Sequence, residues 1–190
     1  GAGAVAAGGF ITLIKTIPTI ISSFKGSLGS VRSGNDALQK VARTEKDLSV
    51  KIVLWGSLGL ILLMTIMPQV PGNGLLSKLL IGILVVLFGA FFVTVSSRIV
   101  GLIGSSNNPI SGMTIATIMG TCLVFIAVGW TGKLYEPMAL VVGGMICIAA
   151  ANAGATSQDL KTGYILGATP RAQQIALFIG AIVSSIAIGF

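Results

Sequence analysis

The sequence contains no histidine and very little acid, with five aspartates and glutamates against twelve lysines and arginines in 190 residues. Charged residues make up 9% of the chain, whereas an ordinary soluble domain carries about 25%. A chain this poor in charge cannot cover itself with a solvated surface, and its mean hydropathy is +0.98. The composition therefore excludes a soluble globular domain and indicates an integral membrane protein. The net charge of +7 requires no nucleic acid partner.

The scarcity of reactive side chains also limits the chemistry of the chain. Its two cysteines, Cys122 and Cys147, lie in separate apolar runs, where packed thiols are more plausible than a disulfide or a metal site. No two acids stand at a spacing typical of catalysis. We therefore predict that the protein is not an enzyme, and that this chain has no catalytic residues, no cofactor and no ligands for a bare metal ion.

Long apolar runs predict the fold. A membrane-spanning helix needs about 20 mainly apolar residues. Six segments approach that length: roughly 1–24, 51–67, 79–103, 110–130, 137–155 and 171–190. The 26 glycines are typical of membrane helices that approach one another closely. We predict an all-α, polytopic membrane helix bundle of about six segments.

Two of these segments are irregular. The first carries Lys15 and Pro18, and a lysine inside an apolar run is either functional or extends its ammonium to the membrane surface. The third is too long for an upright helix, so it is either strongly tilted or ends at Arg98, with residues 99–104 turning back. The second alternative predicts a broken or re-entrant helix near 99–114.

Basic residues are concentrated in one loop, which predicts the orientation of the chain. Six of the twelve lysines and arginines lie between residues 25 and 51. If this loop is cytoplasmic, strict alternation of the helices places nine basic residues inside and two outside, in agreement with the positive-inside rule. We therefore expect a cytoplasmic loop at about 25–51.

The first polar stretch, residues 104–114, interrupts the apolar helices with amides, hydroxyls and a proline. Irregular polar backbone at membrane depth is tolerated where it is buried in protein or lines a watery path. We expect Asn108 to cap a helix that begins at Pro109, whose amino end would attract a substrate carboxylate. A plain capped turn is the alternative. The same cap-then-proline pattern at Thr169 and Pro170 predicts the start of the last helix.

The second polar stretch, residues 152–164, follows the fifth apolar run. If the helix continues, one face of it carries four residues at i, i+4, i+7 and i+11: Asn152, Thr156, Asp159 and Gly163. Asp159 is the only acid on that face, which makes it the best candidate for a titrating or cation-handling group. An ion pair with Lys161 or Arg171 in a solvated loop is the alternative.

These two stretches, GLIGSSNNPISGMT and NAGATSQDLKTGYILGATPRAQQ, strongly resemble the oligopeptide transporter family, in particular its prokaryotic branch. That branch is similar to the yellow-stripe-like transporters of metal chelates. The segment RTEKDL at 43–48 also resembles the family, and the resemblance extends from about residue 40 to the end of the chain. Family members are much longer, so residues 1–190 are expected to form part of a larger transporter domain. The first residue, which is not methionine, agrees with this expectation.

The resemblance implies secondary active transport of small oligopeptides, or of peptide-like metal chelates, coupled to protons across a bacterial or archaeal cytoplasmic membrane. The expected partners are substrate, protons and membrane lipid, and a homo-oligomer remains open. The positions in the two motifs imply candidate substrate-binding residues: Asn107, Asn108, Ser111, Thr114, Asn152 and Thr156. Asp159 and Lys161 are the candidate coupling residues. A channel-like pore and a non-transporting membrane subunit are the alternatives.

Overall fold

The computed structural model describes residues 43–71, 74–133 and 135–189, together with six isolated helical positions between residues 4 and 18. This part of the chain forms five α-helices and contains no β-strand. The helices are α1 (Val50–Ile66), α2 (Leu75–Ile103), α3 (Ile110–Val128), α4 (Glu136–Ile165) and α5 (Pro170–Gly189). Single 3₁₀ turns lie at Arg43–Glu45 and Ser105–Asn107.

The predicted all-α membrane bundle is confirmed, but the predicted number of about six segments is not. Helices α2 to α5 are long and apolar enough to cross a membrane, whereas α1 has 17 residues. Most of the segment predicted at 1–24, including Lys15, and the part of the predicted loop from 25 to 42 lie outside the described residues.

Helices α2 and α4 form the centre of the bundle. They pack against each other along much of their length, α1 packs on α2, and α3 packs on α4. The fully buried side chains between them include Ile81, Val95, Val142 and Ile146. Helix α5 contacts α4 and has no buried residue. The fully buried polar side chains of the described residues lie within this bundle: Ser96 on α2, and Thr117 and Thr121 on α3.

The interruption predicted near 99–114 is shorter than expected. Helix α2 continues without a break from Leu75 to Ile103, so the chain does not turn back after Arg98 and that alternative is wrong. The helix ends at Gly104, whose φ of +90° lies in the region that favours glycine. The 3₁₀ turn and Pro109 then lead into α3, so the irregular backbone is confined to residues 104–109.

Candidate functional site

A buried serine joins three parts of the bundle. Ser96 of α2 is completely buried, and its hydroxyl donates a hydrogen bond to the carbonyl oxygen of Ala150 in α4, at 2.5 Å. The same oxygen accepts a hydrogen bond from Nδ2 of Asn108, at 2.7 Å. Ser96 thus links α2, α4 and the polar turn before α3.

The orientation of the Asn108 amide follows from these two bonds. The single proton of the Ser96 hydroxyl is used on the Ala150 carbonyl, so the group facing Ser96 has to be the amide NH₂ of Asn108. The amide oxygen then points elsewhere, and Oδ1 of Asn108 is buried without a hydrogen-bond partner among the described residues. A buried acceptor of this kind costs about 1–3 kcal/mol unless a donor reaches it.

Gly154 makes room for the Asn108 side chain. A Cβ atom at position 154 would lie 2.8 Å from Nδ2 of Asn108, 3.0 Å from Cγ2 of Val100 and 3.3 Å from Oγ of Ser96. Because these neighbours are held by packing and hydrogen bonds, they cannot move aside easily. The two polar stretches therefore meet at Asn108 and Gly154. We call the group Ser96, Asn108, Ala150 and Gly154 the polar seam.

Two further contacts close α4 onto the carboxyl end of α2. The hydroxyl of Ser157 donates to the carbonyl oxygen of Ser97, at 2.9 Å. The ammonium of Lys161 donates to the carbonyl oxygen of Gly101, at 2.6 Å. Gly101 lies in the last turn of α2, where carbonyl groups lack helical partners and a positive charge is favourable. Lys161 therefore caps α2 in this structure.

Asn108 does not cap α3, contrary to the sequence-based prediction. The cap residue is Pro109, which makes no side-chain cap bond, and the helix begins at Ile110. Pro109 has φ −80° and ψ +54°, and the N–H of Ile110 donates to the carbonyl oxygen of Asn108 at 2.8 Å. This geometry is an inverse γ-turn. The prediction failed because the Asn108 side chain is turned toward Ser96, a residue of another helix.

The other candidates of the first stretch are not drawn into the polar seam. Ser111 is exposed, and Thr114 is half-buried with its hydroxyl bonded to the carbonyl oxygen of Ile110, at 2.9 Å. The side chain of Asn107 lies outside what the structure describes. Among the first group of candidates, Asn108 is therefore the one that the described structure places against α2 and α4.

The predicted face of the second stretch exists, because α4 continues as a helix to Ile165. Asn152 and Asp159 are exposed on this face and Thr156 is half-buried. At 100° per residue, the face that carries Asn152, Thr156 and Asp159 lies about half a turn away from the face that carries Gly154 and packs on α2. The second group of candidates is thus oriented away from the polar seam. Asp159 lies in a helix, whereas the ion-pair alternative assumed a loop.

A contact that the sequence did not predict holds the start of α5. The side chain of Gln174 accepts a hydrogen bond from the backbone N–H of Leu48, at 3.1 Å, and donates to Oδ1 of Asp47, at 2.9 Å. These partners belong to the segment 43–48 that precedes α1. Both segments belong to the family resemblance, but nothing in their sequences indicates that they touch.

The sequence analysis also missed Ser96, since a serine in an apolar helix usually bonds its own backbone. One signal for a functional Ser96 was available in the sequence. Ser96 lies two residues before Arg98, near the end of the apolar run that leads into the polar stretch 104–114. As for metals, no group of three or more potential ligands among His, Cys, Asp and Glu occurs in the described residues.

Four helices long and apolar enough to cross a membrane, three of them joined by a polar seam, define this chain as a helical integral membrane protein. The comparison with protein families is more specific. The family model described as "OPT oligopeptide transporter protein" matches residues 1–190. The chain therefore belongs to the oligopeptide transporter family, as the two polar stretches indicated.

Two relatives extend this finding. A Haemophilus influenzae protein named as a candidate oligopeptide transporter is 28% identical over 205 aligned residues, which cover 99% of this chain and 32% of that protein. A Saccharomyces cerevisiae protein with a similar name is 51% identical over 53 residues, or 28% of this chain and 7% of the yeast protein. The chain thus spans about a third of the length of the bacterial relative. No solved structure matches this chain.

Proposed function

We propose that the protein containing this chain is a secondary active transporter of small oligopeptides in a bacterial or archaeal cytoplasmic membrane. The observation that carries the proposal is the family match over residues 1–190. The names of both relatives refer to oligopeptide transport, and the bundle has four helices able to span a membrane. Peptide-like metal chelates are the second substrate class, because a metal that arrives already wrapped in a ligand requires no metal-binding side chains.

The polar seam supports the proposed substrate path. Asn108 sits where α2 ends and α3 begins, and its buried Oδ1 is an acceptor that a peptide N–H group could satisfy. Helix ends at such a turn carry unpaired backbone groups, to which polar groups of a substrate can bind. We propose that Asn107, Ser111 and Thr114 continue the path along the amino end of α3. Asn152 and Thr156 are proposed to contact substrate on the other face of α4, away from the polar seam.

Proton coupling is assigned to Asp159, with Lys161 beside it. Asp159 is the only acid on the exposed face of α4 that carries Asn152 and Thr156, and an ionisable group in a membrane segment marks a functional site. Lys161 lies on the other side of the helix and contacts the end of α2. A change in the charge of Asp159 could therefore be transmitted through α4 to the α2–α3 break.

The test is counterflow in vesicles that contain the full-length protein. Vesicles preloaded with unlabelled dipeptide should transiently accumulate labelled dipeptide above its external concentration, because a carrier exchanges one substrate for another. A channel-like pore would only equilibrate the label, and a non-transporting subunit would leave it outside. Replacing the dipeptide by an iron chelate in the same assay distinguishes the two substrate classes.

A further inference from the structure

Beside α5 lies a cavity that the polar seam does not use. It has a volume of about 560 Å³ and lies between the last two turns of α4 and the first half of α5. Its polar end is lined by Asp159, Thr162 and Gln173, and the remainder of its wall by small or apolar residues: Gly163, Leu166, Ala168, Ala176, Leu177 and Gly180. A volume of this size is typical of sites for small molecules.

Gln173 presents an unused acceptor at this cavity. The side-chain amide of Gln173 packs directly on Gly163 of α4, and a Cβ atom at position 163 would overlap that amide. Nε2 points to the carbonyl oxygen of Asp159 at 3.5 Å, and the reverse orientation of the amide would place two oxygens against each other. In this orientation the oxygen Oε1 is buried without a partner among the described residues.

The cavity presents acceptors of hydrogen bonds at one end. Asp159 supplies a carboxylate, Gln173 supplies Oε1, and Thr162 uses its proton on the carbonyl oxygen of Gln158, which leaves its own oxygen free to accept. No basic side chain lines the cavity in the described part of the chain. The negative end of α4 and the positive end of α5 meet here and offset each other, so Asp159 sets the sign of the charge.

We propose that this cavity binds the terminal ammonium and the first, apolar side chain of a peptide. An ammonium group has three N–H donors, for which Asp159 and Thr162 offer acceptors at the cavity, and the flexible end of Gln173 offers Oε1 when it turns toward the ligand. The apolar wall then accommodates the side chain of the first residue, and the rest of the peptide leaves through the open side. This inference rests on the proposed transport of peptides. It is compatible with coupling at Asp159, because a carboxylate can be neutralised either by a proton or by an ammonium.

The test compares two peptides that differ only in the ammonium group. Leucylalanine and N-acetyl-leucylalanine are titrated calorimetrically into the full-length protein in lipid nanodiscs. The wild type should bind the free peptide at least about tenfold more tightly, because a charged hydrogen bond is worth about 1.5 kcal/mol or more. Asp159→Asn and Gln173→Leu should each reduce this preference, while both should still bind the acetylated peptide.

Two variants provide matched controls. Gln174→Leu alters the neighbouring glutamine, whose side chain contacts the segment 43–48 and not the cavity, so the preference for the free peptide should persist. Gly163→Ala leaves every polar group in place but displaces the flexible end of Gln173, so it should reduce the preference as Gln173→Leu does.

The outcomes separate this inference from the proposed function. Equal binding of the two peptides by the wild type would overturn the ammonium site and leave peptide transport intact. A preference that survives both Asp159→Asn and Gln173→Leu would do the same. Failure of the wild type to bind either peptide would contradict the proposed function itself, and the inference with it.

Discussion

The side-chain amide of Asn108 occupies the space that a Cβ atom would need at Gly154, so the two polar stretches fit together through the absence of a side chain. Asn108 lies before α3 and Gly154 lies in α4, and Ser96 of α2 hydrogen-bonds Asn108 beside them. The close approach of three backbone segments is typical of membrane bundles, where small residues take the place of a hydrophobic driving force.

Gly154→Ala should reduce both stability and transport. The new methyl group would meet Nδ2 of Asn108 at 2.8 Å, and relief requires either loss of the bond to Ser96 or separation of α2 from α4. Gly144→Ala is the matched control, because its Cβ meets nothing within 4 Å and the change gains about 1 kcal/mol of helix propensity. Unfolding midpoints and dipeptide uptake of the two variants check this. Equal behaviour would show that the contact at Gly154 is unimportant.

Ser96→Ala should destabilise the bundle by roughly 0.6–2 kcal/mol, the range measured for hydrogen bonds between membrane helices. The change removes the bond from Ser96 to Ala150 and leaves the NH₂ group of Asn108 without its acceptor. Ser185→Ala is a suitable control, since that hydroxyl bonds the backbone of its own exposed helix. The unfolding midpoint of the purified full-length protein measures the difference, and a midpoint unchanged from wild type would contradict the role of Ser96.

Asn108→Ala should impair transport more than it impairs expression. The side chain does not cap α3, so helix formation is spared, while the acceptor Oδ1 and the bond to Ser96 are lost. Asn107→Ala tests the adjacent amide. Uptake of labelled dipeptide is normalised to the amount of protein at the cell surface. Wild-type uptake by both variants would show that residues 104–114 form a structural turn and do not bind substrate.

Ser33→Cys, in a background without other cysteines, should resist an impermeant thiol reagent applied to intact cells. Residue 33 lies in the predicted loop that holds six of the twelve basic residues, which are expected to remain on the cytoplasmic side. Labelling after permeabilisation is the positive control. Ready labelling from outside would reverse the orientation, and would place the Asp159 end of α4 outside the cell.

Asp159→Asn should retain exchange of substrate but lose accumulation driven by a pH gradient. The substitution preserves size and hydrogen bonding while it removes the group that can gain and lose a proton. Exchange is measured at saturating dipeptide, because binding of free peptides should weaken as well if the cavity beside α5 holds their ammonium group. Counterflow and gradient-driven uptake are measured in the same vesicles. Accumulation equal to that of wild type would mean that another residue carries the proton.

The sequence alone determined the class of protein and most helix positions. Apolar runs of about 20 residues with few charges indicate membrane helices, because a helix pairs all of its backbone groups and unpaired groups in lipid are too costly. The helix starts at Ile110 and Pro170 were predicted to within a residue, since proline restricts where a helix can begin. The apolar segment predicted at 137–155 ends ten residues before α4 does, because polar helix formers such as Gln158 and Lys161 continue a helix without contributing to hydropathy.

Only the tertiary structure decided which polar residues meet. The bond from Asn108 to Ser96 and the fit onto Gly154 depend on how three helices pack, and a pattern within one helix cannot reveal them. Helical periodicity correctly grouped Asn152, Thr156 and Asp159 on one face, but it could not tell that α2 packs on the opposite face. Local geometry follows from the order of residues along the chain, whereas contacts between helices follow from the shape of surfaces that are distant in sequence.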